Sequence, residues 1–115
     1  MLTQSCKAKG RKLQQAIRDL ILENFKDLEE DDVRSTSMGA GGEDILLSPK
    51  ARKYFPFSVE CKNKERINFW TAIKQTENNS GEYTPLLVLK KNYSKIYACI
   101  PIEDFVKLVK NQKDD

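Results

Sequence analysis

Asp44, Glu60 and Lys62 are the residues of this 115-residue chain whose types and spacing suit a reaction. Two carboxylates can hold Mg²⁺, a hard cation that prefers oxygen ligands and keeps several of its waters. Such an ion lowers the pKa of a bound water and withdraws charge from phosphoryl oxygens, and Mn²⁺ can substitute for it. Lys62 follows Glu60 by two residues, so on a strand both project from one face. An ammonium there can orient the attacking water or stabilise developing negative charge. The carbonyl of the intervening Cys61 is a natural further metal ligand. Together these groups form a minimal kit for hydrolysing a phosphodiester.

Spacing alone does not select this reading. The composition supplies about two acid-x-Lys triplets by chance, and the chain holds one. Glu60 and Lys62 read equally well as a surface ion pair on an edge strand, with Asp44 in a turn. Placement favours a site, because the triplet ends an alternating strand and Asp44 opens a separate short one after a glycine-rich loop. Chemistry by elimination points the same way. With no histidine in the chain, Ser-His-Asp triads, histidine metal sites and histidine general bases are all excluded. Cys6, Cys61 and Cys99 are odd in number and widely separated, without a Cys-x-x-Cys pair, so zinc and redox sites are not suggested. Free thiols fit a reducing, cytoplasmic setting. The start of the chain lacks an apolar signal region, and no run is long enough to span a bilayer.

The elements that must position the trio are legible from periodicity. Leu13, Ile17, Leu20, Ile21 and Phe25 predict an amphipathic helix from Arg11 to Phe25, preceded by Gly10. The acidic run from Glu29 to Asp32 reads as a solvated linker. Val33 to Ser37 and Asp44 to Leu47 are short strands on either side of the glycine loop, the second stopped by Ser48-Pro49. Residues 50–56 form a basic and aromatic connection. From Phe57 to Lys62 the pattern alternates: Phe57, Val59 and Cys61 face one way, and Ser58, Glu60 and Lys62 the other. A second helix fits Ile67 to Asn79, with Trp70 on its core face. Residues 85–89 and 95–100 read as buried strands joined by a hairpin, and Pro101 begins a last helix bearing Phe105, Leu108 and Val109. The order α-β-β-β-α-β-β-α implies an α/β layer with helices packed on a mixed sheet of about five strands. We divide the chain into a basic arm at 1–9, one domain at 10–110 and a charged tail at 111–115.

Arg34-Ser35-Thr36-Ser37, the glycine loop, Asp44, and then Phe57 to Lys62 together resemble the core of the PD-(D/E)XK nuclease superfamily. The resemblance is closest to archaeal-type and phage Holliday-junction resolvases and to small phage nucleases. Lys9-Gly10-Arg11-Lys12 resembles the opening of their first helix, and the likeness runs over residues 9 to 108. It implies a restriction-endonuclease-like fold and Mg²⁺-dependent cleavage of DNA. Asp44 and Glu60 would be metal ligands and Lys62 the catalytic lysine, with Gln75 supporting them from the second helix. Ser37 would lie near the scissile phosphate, with Arg34 beside it as a DNA contact. One departure stands out: where resolvases carry a first-helix glutamate, this chain has Gln14 or Gln15.

Basic residues gather around the expected site, although the net charge is only +3. Lys9, Arg11 and Lys12, then Lys50, Arg52 and Lys53, then Lys64 are candidate phosphate contacts, and Tyr54 and Phe55 could stack on an unpaired base. Each lysine taken singly reads as a solubilising charge, as do Lys90 and Lys91 at a hairpin tip. The expected partner is branched or duplex DNA, with no membrane and no nucleotide cofactor. A twofold homodimer would supply the paired nicks that a junction requires. The alternative is a nucleic-acid-binding or assembly protein that keeps the fold without catalysis.

Overall fold

The computed structural model describes residues 4–36 and 42–113. Helix α1 (Gln4–Asn24) buries Leu13, Gln14, Ile17 and Ile21 along one stripe. At about 2 kcal/mol per buried aliphatic side chain, this stripe is the helix's principal anchorage. The helix begins well before Arg11 and carries Gly10 in its interior. Residues 4–9 are therefore its first turns, and Asn63 Nδ2 donates to the Lys9 carbonyl at 3.3 Å, tying this end to the fold.

A single 3-10 turn, Glu30–Asp32, leads into β1 (Val33–Ser35), which pairs antiparallel with β2 (Ile45–Leu47). The acidic run is thus more than a linker. The Ser48 hydroxyl donates to Asp32 Oδ1 at 2.6 Å, and the same oxygen caps α2 (Pro49–Tyr54) by accepting from the Ala51 amide. Ser48-Pro49 therefore ends β2 and starts a short helix, with the serine as N-cap and proline in the first turn. Periodicity alone shows only a connection there.

Strand β3 (Phe57–Asn63) pairs in parallel with β4 (Thr84–Lys90) across helix α3 (Phe69–Asn79). β4 pairs antiparallel with β5 (Tyr97–Cys99), and α4 (Ile102–Lys113) closes the described chain. The five expected strands are present but fall into a two-stranded and a three-stranded sheet. β2 ends after three residues, and Asp44 just before it joins that side to β3, its amide donating to the Val59 carbonyl at 2.9 Å and its carboxylate accepting from the Cys61 amide.

The main core lies between α1 and the strands, where Leu13, Ile17, Ile21, Val33, Ile45, Val59 and Val88 are buried together. Val59 and the half-buried Phe57 and Cys61 belong to this core, so the predicted alternation of β3 holds. The opposite face of the sheet is covered mainly by α3, through Ala72 and Thr76. Two expectations fail on that side. Trp70 is 80 % exposed and not in the core, and β5 is an exposed edge in place of a buried strand. Both follow from α4, which does not fold back over them.

Candidate active site

The even-numbered face of β3 presents Ser58, Glu60 and Lys62. Because β3 has β4 on one side and Asp44 on the other, Glu60 is central and only 9 % exposed, unlike an edge-strand surface residue. The chain entering β2 brings Asp44 alongside. The Asp44 amide donates to Val59, and the Cys61 amide donates to Asp44 Oδ2 at 2.7 Å. The Thr36 amide in turn donates to the Asp44 carbonyl at 2.9 Å, so backbone bonds on both sides hold this aspartate. Lys62 Nζ lies 3.9 Å from Glu60 Oε1, a loose ion pair between two largely buried side chains. The structure thus brings Asp44, Glu60, Cys61 and Lys62 together.

Burial dominates the electrostatics. Desolvation raises the Asp44 carboxyl above the ordinary range, partly offset by the Cys61 amide and the charge of Lys62. Glu60 is raised by desolvation and then by the negative charge of Asp44, with Lys62 and the Asn79 side-chain amide pulling the other way. Glu60 Oε2 is buried and has no hydrogen-bond partner among the described residues. Two desolvated, mutually repelling carboxylates with an unsatisfied oxygen are suited to a divalent cation, which would relieve all three conditions. The donor set is hard oxygen throughout, and the Cys61 carbonyl is the available third protein atom. The Cys61 side chain packs into the core with Phe57 and Val59, on the face of β3 opposite Glu60, where burial pushes its thiol far above its usual range. No group of three or more acidic, histidine or cysteine side chains suited to a metal occurs among the described residues. Such an ion would therefore keep most of its waters.

Other predicted residues are placed differently. Gln75 is exposed on α3 and makes no hydrogen bond to the trio. Asn79, one turn further along the same helix, lies beside Glu60, and its amide also reaches the Gly42 carbonyl at 3.5 Å. Sequence reasoning missed Asn79, although its i+4 relation to Gln75 was the available signal. Gln14 is 2 % exposed on α1. Ser37 lies outside the described residues.

Among the basic candidates, Arg11, Lys12, Arg34, Lys53 and Lys64 are exposed or partly so, and Lys9 is half-buried. Lys50 donates to the Asp27 carbonyl at 2.6 Å. Arg52 is already engaged within the fold. Its Nη2 donates to both Glu43 oxygens at 2.8 and 2.6 Å, its Nη1 donates to the Phe57 carbonyl at 2.6 Å, and the guanidinium stacks 4.0 Å from the Tyr83 ring centre. Tyr54 and Phe55 are also engaged, by Asp27 and Phe25 and by Phe57 respectively, so neither is a free stacking platform. A cationic hollow appears elsewhere. Beside Lys62, an open cavity of about 580 Å³ is lined by Lys64, Arg66, Lys90 and Lys91, with Phe69 and Tyr97 among its apolar walls. The parallel register sets Asn63 opposite Lys90, which draws the hairpin lysines to the end of β3.

An acid held against a strand that carries Glu-x-Lys, with a helix returning over the same face, is the arrangement expected of a PD-(D/E)XK nuclease domain. The chain belongs to the family described as phage putative PDDEXK endonuclease, whose model matches residues 5–115. No curated protein and no solved structure matches it. No helix among the described residues is long and apolar enough to cross a membrane.

Proposed function

We propose that this protein is a metal-dependent endonuclease that hydrolyses DNA phosphodiester bonds, a single nuclease domain working inside the cell. The observation that carries the reading is the buried, unpartnered Glu60 Oε2 beside Asp44 and Lys62. Asp44 and Glu60 would hold Mg²⁺ or Mn²⁺, with the Cys61 carbonyl as a third ligand. The ion would supply Lewis acidity and a water of lowered pKa. The Cys61 amide fixes Asp44 Oδ2 and leaves the other oxygen available for the ion. Lys62 donates to the nucleophilic water or to a non-bridging phosphoryl oxygen, where charge develops in the transition state. Asn79 orients Glu60 in the role expected from sequence of Gln75. Lys64, Arg66, Lys90 and Lys91 draw the DNA backbone towards Lys62. Lys9, Arg11, Lys12, Arg34 and Lys53 extend the contact, and Gln14 leaves the metal with two carboxylates.

The proposed substrate is branched or duplex DNA, a four-way junction being the case in which a homodimer's paired sites deliver two symmetric nicks. A cleavage assay on a four-way junction, a linear duplex and a single strand, each with Mg²⁺ or Mn²⁺, tests this. Cleavage should require metal and fall by about 10²–10³ in Asp44→Asn and Lys62→Ala, while DNA binding persists. Asn79→Ala should slow cleavage by about tenfold. Undiminished cleavage in Asp44→Asn and Lys62→Ala would refute the site. Binding with no metal-stimulated cleavage of any substrate would favour a non-catalytic nucleic-acid-binding protein, the reading suggested by glutamine at position 14.

A further inference from the structure

Helix α4 is amphipathic, yet nothing covers its apolar stripe. Ile102, Phe105, Val106 and Val109 recur at the three- and four-residue steps with which a helix faces a core. These residues are nevertheless 71, 52, 57 and 41 % exposed. Between Ile102 and Gln112 only Asp104 is even half-buried. A groove between α3 and the β4–β5 strands adjoins this stripe. Trp70, Ile73, Leu87, Cys99 and Pro101 line this groove of about 340 Å³, which runs up to Ile102. An unpacked helix of this length is marginal in water. The exposed parts of Trp70, Ile102, Phe105, Val106 and Val109 come to roughly 650 Å². That is larger than the patches a monomer ordinarily leaves bare and approaches one partner's share of a standard interface.

We infer that a second copy of this chain covers this face, the two α4 helices packing antiparallel about a twofold axis. Charge selects this occupant. The first turn of α4 is acidic, with Glu103 and Asp104, whereas Lys107 and Lys110 follow. Glu103 and Lys110 are seven residues apart, two turns, and so stand on the same flank of the stripe. A twofold antiparallel pairing inverts height and keeps the flank. It sets each Glu103 against Lys110 of the partner subunit, so both ion pairs form at once. Flanking charges of this sort fix the orientation of paired helices. In a parallel twofold pairing the two Glu103–Lys110 flanks would lie on opposite sides of the seam, so these ion pairs could not form. The inference rests on the bare face alone and stands or falls independently of the nuclease reading.

The test uses the full chain. Sedimentation velocity from 1 to 100 µM should show a species of twice the 13.3 kDa subunit mass. Val106→Glu should raise the dimer dissociation constant at least about tenfold. Since α4 contributes nothing to the core, far-UV circular dichroism and the melting temperature of monomerised variants should show a folded domain. Glu103→Lys and Lys110→Glu should each weaken self-association. Mixing those two variants in equal amounts should restore a dimer, because only the heterodimer of variants pairs opposite charges at both ends of that flank. A wild-type chain that stays monomeric at 100 µM would overturn the inference and point to a different protein as the occupant. Dimers that ignore Val106→Glu, or a mixture that gains nothing over its components, would overturn it too.

Discussion

Arg52 admits two incompatible roles, a phosphate contact or an internal clamp, and its replacement by alanine separates them. In the folded protein its guanidinium is 12 % exposed and the Glu43 carboxylate 17 % exposed, joined through a two-pronged contact. Removing the arginine leaves a mostly desolvated carboxylate without its cation, a loss of about 3 kcal/mol at the lower end for a buried pair. The lost stack on Tyr83 adds about 0.5–1 kcal/mol. A total near 3–4 kcal/mol should lower the urea midpoint by about 2 M, followed by circular dichroism. Arg52→Lys should recover only a part, since one ammonium cannot hold the Glu43 carboxylate and the Phe57 carbonyl at once, as the two guanidinium nitrogens do. Glu43→Gln in the Arg52→Ala background should regain stability by removing the stranded charge. Glu43 adjoins Asp44, so the clamp also steadies the approach to the site. The opposite result would refute this account: stability within about 0.5 kcal/mol of wild type, together with a fall of about one in the salt slope of DNA binding.

Asp32 supplies a pH-dependent prediction. The Ser48 hydroxyl and then the Glu29 amide hold its carboxyl below the ordinary range. A folded pKa below the unfolded one contributes stability that is present above the unfolded value and is lost as pH falls through the folded one. The melting-temperature gap between wild type and Asp32→Asn should therefore be open at pH 7 and shrink below about pH 4. A gap that stays constant from pH 7 to pH 3 would contradict the assignment. The cysteines should differ in reactivity. Exposed Cys6 should be alkylated first by iodoacetamide at pH 8, whereas Cys61, with its thiol pushed up by burial, should react only on unfolding. Peptide mass spectrometry showing Cys61 labelled as fast as Cys6 would contradict its placement.

Much of the local architecture is legible in the residue pattern. The two-residue alternation of Phe57 to Lys62 places Glu60 and Lys62 on one face, and the stripe from Leu13 to Ile21 places α1 on the core. The family resemblance holds for the same reason, because its motifs are short segments with local geometry. Other features are legible yet easily overlooked, such as Ser48-Pro49 as the start of a helix and Asn79 one turn beyond Gln75.

What the sequence determined by itself is therefore whatever follows from repeats of two and 3.6 residues and from residue chemistry: element types, faces, and a carboxylate–lysine pair with no histidine to compete. What only the tertiary structure decided depends on which distant segments meet. Asp44 serves the site because its amide bonds to Val59 and its carboxylate to Cys61, seventeen residues away. Arg52 is held inside the fold because Glu43 folds back onto it, and Lys90 lines the cleft beside Lys62 through the parallel register with Asn63. Trp70 and α4 follow a helical core pattern yet lie bare. Periodicity reports that a face is apolar, but not whether this chain or another one covers it.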